Sequence, residues 1–180
     1  MRKEIYQQIE IPEGVEVILE GSTLNVKGPE GEISRTFKIR NLELKKEGEN
    51  IIVGHKKSTK NEKKIINSIA SHIRNMVKGV KEKFEYTLKV CFSHFPMTID
   101  IKEGEASIKN FLGEKTSRTT KIPSGVEIEV SGEIITVKSP DKELAGQVAA
   151  NFEKITRVRN RDRRVFQDGI FMTSKSGREI

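Results

Sequence analysis

Apolar and polar positions alternate through the first third of the chain. Val15, Val17 and Leu19 fall on one face of an extended segment, with Glu16, Ile18 and Glu20 on the other, the period of two that a half-buried strand needs. Gly21-Ser22 interrupts this run, and Leu24 and Val26 resume it. Gly28-Pro29-Glu30-Gly31 then places Gly and Pro where a turn favours them. Residues 33–37 read as another strand. Leu42 and Leu44, a turn at Glu47-Gly48-Glu49-Asn50, and residues 51–53 complete a series of antiparallel hairpins.

The period changes at Thr59-Lys60-Asn61-Glu62, which has the spacing of a capping box. Beyond it Ile65, Ile69, Ile73 and Val77 recur every four residues, flanked by Ile66, Ala70 and Val80. That spacing predicts an amphipathic helix stopping at Gly79. Its other face carries Lys60, Lys63, Lys64, Asn67, Ser71 and Arg74. The order then recurs. Tyr86, Leu88 and Val90 alternate, Phe92-Ser93-His94-Phe95-Pro96 breaks the strand, Ile99 and Ile101 alternate, and Glu103-Gly104-Glu105 turns. Residues 107–114 parallel 25–32 at a shift of 82. Leu42, Leu44, Gly48, Ile51 and Val53 parallel Val126, Ile128, Gly132, Ile135 and Val137 at a shift of 84. A more conspicuous likeness, residues 11–29 to 122–140 at a shift of 111, would pair the first hairpin of one half with the last hairpin of the other. The shift of 82–84 keeps hairpin, hairpin and helix in register, so we take it as the domain period. Ser139 and Pro140 suit the cap and first position of the second helix, whose stripe is Leu144, Val148 and Phe152 with Ala145, Ala149 and Ile155. The class is therefore α+β: two tandem duplicated domains, each a small antiparallel sheet packed against one α-helix. They span residues 1–82 and 83–156, joined near residues 81–84, and a basic C-terminal extension covers 157–180.

Composition narrows the partner. Charged residues (33%) nearly equal hydrophobic ones (34%), Trp is absent, and the net charge is +7 with a pI near 9.4. This balance favours an anionic partner, nucleic acid first and an anionic membrane surface or acidic protein second, although many basic soluble proteins bind neither. A single cysteine, Cys91, excludes an internal disulfide, fits a reducing compartment and reads as strand packing. The opening MRKEIYQQIEIPEG has no signal-peptide core, and no apolar run approaches the ~20 residues that cross a bilayer. A cytosolic protein without a membrane partner is expected.

The charge is unevenly placed. Residues 1–82 carry a net +4, residues 83–156 a net −1, and residues 157–180 a net +4. Arg157, Arg159, Arg161, Arg163 and Arg164 fall within eight residues, interrupted by one acid, Asp162. A solvated tail would accept lysine equally well. Guanidinium specifically suits bidentate phosphate binding and stacking on bases. The run also lies between a docked helix and apolar VFQDGIF, which needs a surface of its own. Lys56, Lys57, Lys60, Lys63 and Lys64, around the first helix start, read first as a solvated face.

Catalytic patterns are missing. His55, His72 and His94 have no metal-ligand spacing with each other or with Cys91. His94 reads as a hydrogen-bonded loop histidine. The 28–32 turn lacks the ending of a phosphate loop, and no serine lies in GxSxG. No enzyme, metal, cofactor or small-molecule substrate is indicated.

Four segments carry a family resemblance. They are Asp141-Lys142-Glu143-Leu144-Ala145-Gly146-Gln147-Val148-Ala149-Ala150-Asn151, Asn75-Met76-Val77-Lys78-Gly79-Val80, Phe92-Ser93-His94 with Pro96, and Ile11-Pro12 with Gly14-Val15. Through them the chain resembles, over nearly its whole length, the universal protein six family of the large ribosomal subunit. The resemblance implies two duplicated α+β domains and a place in the cytoplasmic ribosome. It further implies contact with large-subunit rRNA, chiefly through the second domain, near the sarcin–ricin loop and the factor-binding region, with neighbouring ribosomal proteins as further partners. Bacterial members carry a Pro-rich stretch and a Gly-Lys-Gly segment after the second helix. Residues 160–170 here read NRDRRVFQDGI and look like the archaeal–eukaryotic branch. The expected rRNA-binding residues are Arg157, Arg159, Arg161, Arg163, Arg164 and Lys175, supported by Lys138, Ser139 and His94. The alternative from another class is a non-ribosomal protein–protein scaffold with a basic disordered tail.

Overall fold

The structure, a computed structural model, describes residues 3–39, 42–102 and 104–180; Glu103, expected in a turn, lies outside the described residues. The chain divides into two compact units, residues 1–83 and 84–180.

In the first unit, β1 (Lys3–Glu10), β5 (Glu43–Glu47) and β6 (Asn50–Ser58) form an antiparallel sheet in the order β1-β6-β5. The hairpins β2 (Glu16–Glu20), β3 (Thr23–Gly28) and β4 (Gly31–Thr36) form a second sheet. Helix α1 (Lys60–Lys81) packs on both. Alternate residues of the strands, Val17, Leu24, Val26, Ile51 and Val53, meet the helix stripe Ile66, Ile69, Ala70, Ile73, Met76, Val77 and Val80 in one core. Ile65 is exposed, so the stripe begins one residue later than its four-residue spacing suggests. The capping box forms its side-chain half as expected, with Glu62 accepting the Thr59 N–H. Gly79 does not stop the helix. The helix continues to Lys81 because the β3–β4 turn supplies the missing donor: Glu30 N–H reaches the Val80 carbonyl at 3.0 Å.

The second unit repeats this order. Strands β7 (Phe84–Cys91), β11 (Glu127–Ser131) and β12 (Ile134–Ser139) correspond to β1, β5 and β6. Strands β8 (Thr98–Lys102), β9 (Glu105–Lys109) and β10 (Arg118–Lys121) correspond to β2, β3 and β4. Helix α2 (Lys142–Ile155) buries Ala145, Val148, Ala149 and Phe152 against Tyr86, Leu88, Val90, Ile135 and Val137. Each copy thus holds two small sheets, where one was expected. The element order supports the 82–84 shift: at a shift of 111 the β2–β3 hairpin would lie on β11–β12, in a different sheet.

The stretch 157–180 is not a single extension. Strand β13 (Gly169–Lys175) pairs with β7 and, with β14 (Arg178–Glu179), extends the sheet to β11-β12-β7-β13-β14. Ile170 is fully buried on it. The N-cap of α2 is Asp141, whose Oδ1 accepts the Glu143 N–H at 2.8 Å, and not Ser139. Ser139 is still in β12. A carboxylate is as good a cap as a hydroxyl and adds favourable charge at the positive end of the helix dipole.

Candidate nucleic-acid interface

Between α2 and β13 the chain makes a crossing of twelve residues, 157–168, which carries the five arginines. The crossing is tied down at both ends. Thr156 is buried, and its hydroxyl donates to the Phe152 carbonyl (3.0 Å) and accepts the Ile170 N–H (2.9 Å). Glu153 accepts the Met172 N–H at 2.8 Å. The outward N–H groups of β13 are thereby covered by α2. Val158 packs on the core, and the 162–166 turn closes with the Phe166 N–H on the Asp162 carbonyl at 2.9 Å.

Asp168 holds the far end. Its carboxylate, 2% exposed, accepts four hydrogen bonds from the 92–96 loop. Oδ1 takes the Ser93 hydroxyl (2.9 Å) and His94 Nδ1 (2.7 Å), and Oδ2 takes the Ser93 and His94 backbone N–H groups (both 3.2 Å). Burial works against ionisation. The donors from the His94 side chain and backbone, then those of Ser93, outweigh it and bring the carboxyl down to about 2. The His94 ring lies flat on Phe166 (4.9 Å between centroids, 17° between planes), and the Arg161 guanidinium sits 4.7 Å from the centroid of the same ring. Ser, His and Asp together resemble a hydrolytic set in composition only. The serine hydroxyl donates to the carboxylate, on the Nδ1 side of the imidazole, so no base faces it through Nε2.

The arginines differ in what they already hold. Arg164 is forked onto Asp162, with Nη2 to Oδ2 at 2.8 Å. Arg161 is stacked. Among the described residues, Arg157, Arg159 and Arg163 are exposed and have neither an ion pair nor a side-chain hydrogen bond. Arg157, Arg163 and Arg164, with Lys154, edge a hollow of about 990 Å³ whose walls include Phe92, Phe166 and Phe171. Cys91 also faces this hollow, half-exposed; its expected burial fails because it follows the open face of β7.

The remaining candidates lie elsewhere. Lys138 is one strand over from Glu85 and Lys175 is opposite Tyr86, whereas the hollow begins at Cys91, opposite Gly169. Six residues of strand, about 20 Å, separate the two ends. Lys138 pairs with Glu129 at 3.4 Å, and Lys175 is exposed. Ser139 is 1% exposed, donating to the Gly125 carbonyl (2.9 Å) and accepting the Asp141 N–H (3.2 Å). It serves the fold and leaves no hydroxyl for a ligand. His94 does join the arginine segment, as a support through Asp168 and Phe166. Sequence reasoning missed Asp168, Ser93, Phe166, Phe92 and Phe171 as site residues. The available signal was an acid just after an arginine run, in a chain whose FSH loop offers donors.

The comparisons agree with this architecture. The family profile described as Ribosomal protein L6 matches twice, over residues 11–83 and 95–169, once in each copy. The chain is similar to the large ribosomal subunit protein uL6 of Methanothrix thermoacetophila, 40% identical over 97% of this chain and 99% of that protein. It is likewise similar to those of Methanobrevibacter smithii (42%, over 95% and 96%) and Methanococcus vannielii (42%, over 98% and 97%). The non-ribosomal scaffold is thereby set aside. The chain belongs to the ribosomal protein L6 family in its archaeal form, a non-enzymatic structural constituent of the large ribosomal subunit in the cytoplasm.

Proposed function

We propose that the protein binds large-subunit rRNA through its second unit, with the 157–168 segment as the principal contact, near the sarcin–ricin loop and the factor-binding region. The observation that carries this is the anchoring of five arginines, three of them without protein partners, on a crossing fixed by Asp168, Phe166 and Thr156. An anchored backbone is already ordered before it meets phosphate, and the planar guanidinium fork matches phosphate oxygens. The location within the subunit rests on the family resemblance. RNA helices offer mostly shape, phosphates and 2′-hydroxyls to such a surface, so contacts to base edges contribute little there. Lys175 and Lys138 would add a separate, weaker contact at the other end of β7.

Titration of the full chain against protein-free archaeal large-subunit rRNA at two salt concentrations tests this. Each phosphate neutralised contributes about 0.7–0.9 to the slope of log affinity against log salt. Replacing Arg157, Arg159, Arg161, Arg163 and Arg164 together by Gln is expected to weaken binding and flatten that slope by about 0.7–0.9 for every phosphate the segment neutralises. Unchanged affinity and slope would mean that the segment is not the contact.

A further inference from the structure

We infer that the hollow beside the crossing receives one unstacked ribonucleotide, its base against Phe171 and Phe92 and its phosphate on Arg157 and Arg163. This rests on the RNA-binding reading above and narrows it from a basic surface to a subsite. Phe92 and Phe171 are 39% and 42% exposed, although both flank a well-packed core. Both line the hollow. The Phe171 ring folds back over Gly169: a Cβ at that glycine would stand 3.2 Å from the tip of the ring. The bare backbone therefore lets the ring lie down as a platform. Aromatic faces left open beside guanidinium groups are the pairing by which proteins hold single-stranded bases, the ring stacking and the cation taking the phosphate.

Charge in the hollow is also arranged for an anion. Its two acids both accept from protein donors, Glu153 through one oxygen from the Met172 N–H and Asp168 through both oxygens from Ser93 and His94. The guanidinium groups of Arg157 and Arg163 remain open. Gln167 donates its amide N–H to the Arg164 carbonyl at 3.1 Å, which leaves its Oε1 to accept from a base edge. A volume of about 990 Å³ is at the upper end of pockets that hold a single small ligand. A duplex presents its phosphates on a convex surface and cannot enter such a concavity, whereas an extruded nucleotide can.

The test uses the full chain with protein-free archaeal large-subunit rRNA. Phe171→Leu and Phe92→Leu are each expected to weaken binding about tenfold while leaving the salt slope unchanged, because stacking neutralises no phosphate. Arg157→Gln with Arg163→Gln is expected to weaken binding and flatten the slope by about 0.7, the share of the one phosphate they hold. Wild-type affinity in both leucine variants, alongside weakened binding by the five-glutamine variant, would overturn the subsite while sparing the RNA-binding reading. Wild-type affinity in all of them would overturn both. Should a leucine variant fail to fold, ultraviolet irradiation of the wild-type complex decides. An adduct on a peptide containing Phe92 or Phe171 supports the subsite, and adducts confined to other peptides overturn it.

Discussion

Asp168→Asn probes the joint on which the arginine segment depends. The folded carboxyl titrates at about 2 against an ordinary value of 3.8, and a tenfold change in acidity corresponds to about 1.4 kcal/mol. Ionised Asp168 therefore contributes about 2 kcal/mol. Because the folded value is the lower one, this contribution is complete above about pH 5 and is lost as pH falls from about 4 towards 2. Asparagine keeps the shape but has only one acceptor oxygen. Its amide nitrogen must face either the two backbone N–H groups at Oδ2 or the serine and histidine donors at Oδ1. At neutral pH the substitution should destabilise the second unit by about 2–3 kcal/mol. The two units need not unfold in one transition, so the assay is urea unfolding followed by NMR at residues of the joined strands, Val90 and Ile170. The gap between wild type and variant should shrink steadily below about pH 4 as the wild-type carboxyl takes up its proton. A gap equal at pH 6 and pH 2.5 would refute the charge argument, and no gap at pH 6 would refute the anchoring role.

Two further substitutions test the scaffold. Thr156→Val preserves shape but leaves the buried Ile170 N–H without its acceptor, so a loss of about 1–3 kcal/mol and faster amide exchange at Ile170 are expected. Gly54→Ala would place a Cβ over the Tyr6 ring and 2.5 Å from the Ile5 carbonyl. The β1–β6 pairing must then shift, at about 1–3 kcal/mol, read as a lower urea midpoint at resonances of residues 3–58.

Most of the architecture was legible because both copies use strong periodic signals: alternation in β2, β3, β6, β7 and β12, and the helical stripes. Among the strands that escaped are β1 and β10. In β1 only Ile5, Tyr6 and Ile9 are large and apolar, and the strand bulges near its start, so alternation is broken. In β10 the sequence RTTK has no apolar residue. Arg118 holds it instead, donating to Glu114 and to the Ile155 carbonyl (2.6 Å) and stacking on Phe111 (4.3 Å). The arginines were visible in composition, but their supports were not. Asp168 and His94 are 74 residues apart, and only the pairing of β13 with β7 brings them together. Lys138 was grouped with the arginines by its place beside the second helix start and Lys175 as part of the basic C-terminal stretch, whereas both lie at the end of the sheet away from the hollow.

The duplication also explains why the basic crossing exists in one copy alone. Among the described residues β1 remains an edge strand, blunted by Lys3, Glu4 and Glu10, while its counterpart β7 is central because β13 has joined it. After α1 the chain needs only two residues to begin β7. After α2 it must return across the helix end to reach the free side of β7, and that return is residues 157–168. Five like charges in so short a path repel one another, which would favour a loose coil. Three features oppose this: the C-terminal end of α2, whose dipole favours cations; the stacking of Arg161 and His94 on Phe166; and the buried carboxylate of Asp168. An added strand thus gives the second copy something the first lacks, an anchored return path that carries five arginines.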